Sequence, residues 1–286
     1  MSINYLRFPA APNLPLAPDE WDRRYQDQFA NVLRLYFNLL SGALQELGRT
    51  DGGYHLSFPH GAFFQDGVTT LSSNISNVST AAISVASTAG FPSSGYFLIG
   101  NEIISYTSKT ATVFDGTITR GVLGTTNTSH TAGAAITEVQ GTGSPTTIGT
   151  VLFNNTTFSQ GVKASADFSR IEFSYAGIYN IQFSAQLLNY TTSEDNVVMW
   201  FRKNGVDIPN SASVEQVNSK HGTSPGATIL TVNIFEEFKG GDYLTLKWSS
   251  DTGNTVVGTY PAGTSPVHPV SPAIIFTVSF VSAPPA

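Results

Sequence analysis

Apolar and polar residues alternate along residues 179–186, with Tyr179, Ile181 and Phe183 on one side and Asn180, Gln182, Ser184 and Gln186 on the other. A period of two marks a β-strand with one buried face, and Ala176-Gly177 ahead of it supplies the turn. The same pattern predicts strands over 151–153, 170–173, 196–203, 228–235, 243–249 and 273–281. Many short strands separated by turn residues make an antiparallel sandwich. Residues 54–70 predict one more strand and its turn. Between these, residues 81–139 form a small β unit of their own, with strand-like runs at 82–85, 96–99, 102–106, 113–118 and 135–139. Turns fall at Pro92-Ser93-Ser94-Gly95, Gly100-Asn101 and Asp115-Gly116. Ser/Asn-rich residues 71–80 and Gly-rich residues 141–145 read as linkers on either side.

Helical periodicity is confined to residues 18–47. Tyr25, Phe29, Val32, Tyr36, Leu39 and Ala43 are spaced four and three apart, the seam of a coiled coil. Leu33, Phe37, Leu40, Leu44 and Leu47 widen the apolar face beyond a dimer seam. Pro18 or Asp19 opens this helix and Gly48 closes it. The wide face predicts a trimeric bundle or docking on another surface; packing on the chain's own domain is the alternative. Residues 1–17 are Pro-rich and read as an aperiodic, extended docking arm.

Composition sharpens the picture. Only 12% of the 286 residues are charged, about half the usual share, and Ser, Thr, Asn and Gly carry the polarity. A net charge of −6 gives no electrostatic case for nucleic acid. The absence of cysteine excludes a disulfide scaffold and a cysteine metal site. No run approaches membrane-spanning length and the N-terminus lacks a signal-peptide pattern, so an assembly route without secretion is expected.

Several stretches resemble known families. Ala176-Gly177-Ile178-Tyr179-Asn180-Ile181-Gln182-Phe183-Ser184 resembles a strand of the C1q and tumour-necrosis-factor-like jelly rolls. Val151-Leu152-Phe153-Asn154-Asn155 resembles their early strand, Gly240-Gly241-Asp242-Tyr243-Leu244-Thr245-Leu246 a later one, and residues 274–281 the closing strand. The run Gly90-Phe91-Pro92, Gly95-Tyr96, Ile99-Gly100-Asn101-Glu102-Ile103-Ile104-Ser105-Tyr106, Arg120-Gly121, Gly124-Thr125, His130 and Gly133 is similar to a module of phage tail and other virion proteins. His60-Gly61-Ala62-Phe63 with residues 199–205 and 272–278 looks like a C-terminal domain of marine and cyanobacterial phage structural proteins. These resemblances imply a mainly β protein in five parts. Residues 1–17 are a docking arm and 18–48 an oligomerising helix. Residues 49–70 give the first jelly-roll strand, 71–140 an inserted small β module and 141–286 the jelly-roll head. They imply a homotrimeric virion appendage held to other virion proteins through residues 1–47, its head touching a host cell-surface glycan or protein. A purely structural decoration and a polysaccharide depolymerase are the alternatives. One departure stands out: Asn180, Gln182, Ser184 and Gln186 are polar where the resembled trimers place apolar or aromatic groups at their axis.

Candidate chemistry is sparse. Glu236 and Glu237 are adjacent, so on a strand they face opposite ways. Glu194-Asp195 reads as a solvated turn, and Glu102 as a surface or cross-strand residue. The five histidines lack metal-ligand spacing, and no nucleophile elbow is present. The expectation is a non-enzyme without metal, cofactor, nucleic-acid partner or membrane insertion, located in the virion. Recognition is expected in loops 216–226 and 251–266, with Tyr260 stacking on a sugar and Asn254 and Thr255 hydrogen-bonding to it.

Overall fold

The computed structural model describes residues 9–16, 18–47, 58–264 and 266–283. The chain divides into two compact units, residues 1–58 and 59–286.

In the first unit the helix spans Arg23–Leu47. It begins later than Pro18 or Asp19 because Asp22 caps it: Asp22 Oδ1 accepts from the Arg24 amide at 2.8 Å, and the Asp22 carbonyl accepts from the Gln26 amide at 3.2 Å. Gly48 lies outside the described residues. Tyr25 and Phe29 stack one turn apart, centroids 6.1 Å. Tyr25, Phe29, Val32, Tyr36 and Ala43 are half-buried, whereas Leu39 is 64% exposed. Residues 9–16 form neither helix nor strand. Pro9, Pro12 and Pro15 are half-buried while every residue between them is exposed.

The second unit is mainly β, and its strand pairs are antiparallel. The sandwich uses two sheets. One runs Asn155–Gln160, His60–Gln65, Ile274–Ser282, Gly177–Asn189, Gly226–Phe238. The other runs Val162–Ala164, Ile171–Phe173, Tyr243–Ser250, Asp195–Lys203, Ser213–Val217. The first strand thus lies beside the last, 209 to 219 residues apart in pairs from Gln65–Ile274 to His60–Ser279. Alternation along 179–187 does what its period demands. Tyr179, Ile181, Phe183, Ala185 and Leu187 enter a core shared with Phe63 and Phe276 of their own sheet and Met199, Phe201, Leu246 and Trp248 of the other. Each fully buried Phe or Leu here contributes about 1.5–3 kcal/mol relative to exposure.

Several sandwich strands differ from expectation, and Val162–Ala164 and Ser213–Val217 were not predicted at all. Residues 151–153 are not a strand: Val151 and Phe153 are buried, and their amides donate to the carbonyls of Leu246 and Phe168. Strand Asn155–Gln160 is instead an edge with almost every residue exposed, so it carries no alternation. Within 251–266, Val256–Gly258 is a strand buried on both faces.

That short strand decides how the inserted module is held. It pairs with Leu187 and Leu188 of the sandwich and with Val139–Gly141 of the module. One continuous sheet therefore crosses from sandwich to module, which is no free-standing side domain. Residues 71–80 are not a linker either. Leu71 and Ile75 are buried in the module core with Phe91, Phe97, Tyr106 and Phe114, and the Ile75 amide and carbonyl bond to His130.

Candidate functional site

The residues singled out for sugar contact do not form one surface. Thr255 is fully buried: its Oγ1 and amide both donate to Asp195 Oδ2, at 2.6 and 3.2 Å. Asp195, itself buried, also accepts from the amide and hydroxyl of Thr252, each at 3.0 Å. It is the anchor of the 252–255 turn rather than part of a solvated turn; only its neighbour Glu194 is exposed. Asn254 is half-buried, its amide donating to Thr252 Oγ1. Tyr260 lies beyond the buried strand, bridged to Ser271, and lines a separate cavity of about 430 Å³ with Gln186, His268 and Pro269. In the other expected loop, Lys220, Gly222 and Thr223 line a small cavity with Asn101, Thr125 and Tyr190 of the module and sandwich.

The module's sequence pattern resolves into one ion cluster. Arg120 Nε and Nη2 donate to Glu102 Oε1 and Oε2 at 2.6 and 2.8 Å. The amides of Gly121 and Thr128 donate to the same carboxylate, and His130 Nε2 lies 2.8 Å from Oε2. Gly121 turns its amide inward at φ 63°, where an added Cβ would sit 2.9 Å from the Asn127 amide. Burial alone raises the Glu102 carboxyl, but the bonds from Arg120, Thr128 and His130 outweigh it and hold it below the usual range. Arg120 also donates to the carbonyls of Ser76, Ser79 and Thr128. Glu102 is fully buried, so the surface role is excluded and the cross-strand role stands. The cluster ties two loops to the module sheet.

A different carboxyl marks the largest cleft described. Glu138, on strand Ala135–Gly141, is almost wholly buried. Asn154 Nδ2 donates to its Oε2 at 2.9 Å and also to the Gly90 carbonyl, while Asn154 Oδ1 accepts from the Asp66 amide. Three chain crossings meet here, and Gly67 permits it: a Cβ there would lie 2.9 Å from Glu138 Oε2 and 3.1 Å from the Gly90 carbonyl. The Gln65 side-chain amide is fully buried beside Glu138 and favours its charged form. Burial pushes the Glu138 carboxyl up to about 8, aided by the charge of Asp66 and opposed by Gln65 first, then by Lys109 and Asn154. It is therefore protonated at neutral pH and able to donate. The cleft above it holds about 540 Å³ and is lined by Phe91 to Ser94 and Lys109 from the module and by Asn154, Asp167 and Phe168 from the sandwich.

Two apolar surfaces lie uncovered. On the helix Leu35, Phe37, Leu39 and Leu44 are exposed. On the outer face of the five-stranded sheet, Phe235 pairs opposite Asn180, Ile229 opposite Gln186, Ile275 opposite Ser184, and Phe158 opposite Ala62. All four flanking apolar residues are exposed, Phe235 by 63%. Apolar groups missing from the central strand are thus supplied by its neighbours.

Among the described residues no three His, Asp or Glu side chains converge as metal ligands, and no helix is long and apolar enough to cross a membrane. Compared with known families and curated proteins, the chain matches neither a family model nor a curated sequence.

Proposed function

We propose that the chain is a bacteriophage virion structural protein, a homotrimeric appendage attached through residues 1–47, with a jelly-roll head that contacts the host surface. The observation that carries the assembly is the pair of uncovered apolar surfaces. Ile229, Phe235 and Ile275 stand exposed on one sheet face and Leu35, Phe37, Leu39 and Leu44 stand exposed on the helix, and self-association removes such groups from water. Three copies are preferred because the C1q/TNF-like resemblance implies a trimer and a chain without cysteine gains stability by oligomerising. The jelly-roll assignment is supported by a first strand lying beside the last and by a chain that crosses repeatedly between the two sheets after Gln160. The virion assignment is supported by the module pattern, whose Glu102, Arg120, Gly121 and His130 prove mutually dependent rather than scattered.

Weak contacts from three heads add through effective concentration, which suits surface attachment. The test is particle assembly with a chain lacking residues 1–47. Loss of the protein from particles is expected, whereas normal incorporation contradicts the anchoring role. Full-length protein should adsorb to the host bacterium and compete with particles; trimers that assemble without adsorbing favour decoration.

A further inference from the structure

We propose that the cleft between module and sandwich is a saccharide-binding site, in which a pyranose ring lies against Phe168 and hydrogen-bonds to Lys109, Asp167 and the Glu138 carboxyl. This rests on the host-contact reading and gives it a ligand class and a location that differ from the loops expected from sequence.

Phe168 is the first reason. It holds φ 60°, a conformation that strains a bulky residue. Its backbone is fixed on both sides: the amide donates to the Ser165 carbonyl and the carbonyl accepts from Phe153, each at 2.9 Å. That fixed turn leaves the ring 45% exposed at the cleft wall. A glycine would make the same turn without strain, so the core gives no reason for an aromatic ring here. The apolar C–H face of a sugar does.

The polar groups are the second reason. The Asp167 carboxylate is oriented by the Ser165 hydroxyl and by the amide and hydroxyl of Ser169. Those bonds, that of Ser165 foremost, hold it down to about 2, so it is a fixed acceptor. Lys109 Nζ donates once, to the Thr88 carbonyl at 2.7 Å, and an ammonium has two further donors. Glu138 adds a neutral donor at the floor. One cation, one anion and one neutral acid suit a neutral ligand that both donates and accepts along its rim. An anion would meet Asp167 without a compensating arginine in the lining, and a lipid tail would strand Lys109 and Asp167 away from water. The volume, about 540 Å³, is within the roughly 300–1,000 Å³ of small-molecule sites.

The experiment is saturation-transfer NMR on the full-length protein with glucose, galactose, mannose and N-acetylglucosamine, each at millimolar concentration. Transfer to the ring protons of at least one sugar is expected. It should fall at least tenfold in Phe168→Gly, which removes the ring while easing the backbone, and persist in Tyr260→Ala at the other aromatic cavity. Absence of transfer from all four sugars, or transfer unchanged in Phe168→Gly, overturns the inference. Adsorption to host cells, measured on the same variants, separates the two readings. Adsorption without sugar transfer removes the cleft and keeps host contact, and sugar transfer without adsorption does the reverse.

Discussion

Two buried glutamates titrate in opposite senses. Glu138 has a folded value near 8 against an unfolded value near 4.5, so between these the native state holds the extra proton. Stability is then greatest below pH 4.5 with respect to this group and falls as pH rises through 8. The loss at full deprotonation is on the order of 3–5 kcal/mol. Glu138→Gln should leave the thermal midpoint at pH 5 nearly unchanged and raise it at pH 9; equal midpoints for both proteins at pH 9 would contradict the neutral carboxyl. Glu102 is held below its usual range, so its contribution is present above about pH 4.5 and lost as pH falls below. Arg120→Ala strands a buried carboxylate and should destabilise by about 3–5 kcal/mol, read by calorimetry. The residues of the Glu102 cluster were legible as a spaced pattern because they fall within about thirty residues of chain. Glu138 was not singled out: its partners Asn154, Gly67 and Gly90 come from distant segments, and nothing local distinguishes it from any strand glutamate. Thr255 looked like a surface hydroxyl for the same reason, since its partner Asp195 is 60 residues away.

Elements were legible where one face is buried and the other wet. Gly177–Asn189 satisfies that and was predicted closely. Asn155–Gln160 is exposed on both faces and Val256–Gly258 buried on both, so neither carries a period-two signal. Residues 71–80 concealed Leu71 and Ile75 among serines and asparagines. The helix was legible in length and stripe, although Asp22 rather than Pro18 or Asp19 sets its start. If that stripe is a self-association surface, Phe29→Asp together with Tyr36→Asp should lower the oligomer mass while keeping the β signal in far-ultraviolet circular dichroism. An unchanged mass would remove the helix from the assembly and leave the sheet face as the contact.

At the scale of the whole molecule, the shared sheet makes module and sandwich interdependent. Val256–Gly258 joins Val139–Gly141 to Leu187–Leu188, so residues 59–286 should unfold in one calorimetric transition. Arg120→Ala should shift that whole transition, and a separate early peak for the module would contradict the continuity. An inserted unit anchored this way holds its cleft at a fixed geometry against the head, which is what a recognition site requires. Anchoring, multivalent contact and the covering of both apolar surfaces all depend on assembly. The most direct measurement is the mass of the purified full-length protein by light scattering across a concentration series. A constant mass of three times the 30.5 kDa chain is predicted, and a monomer at every concentration would contradict it.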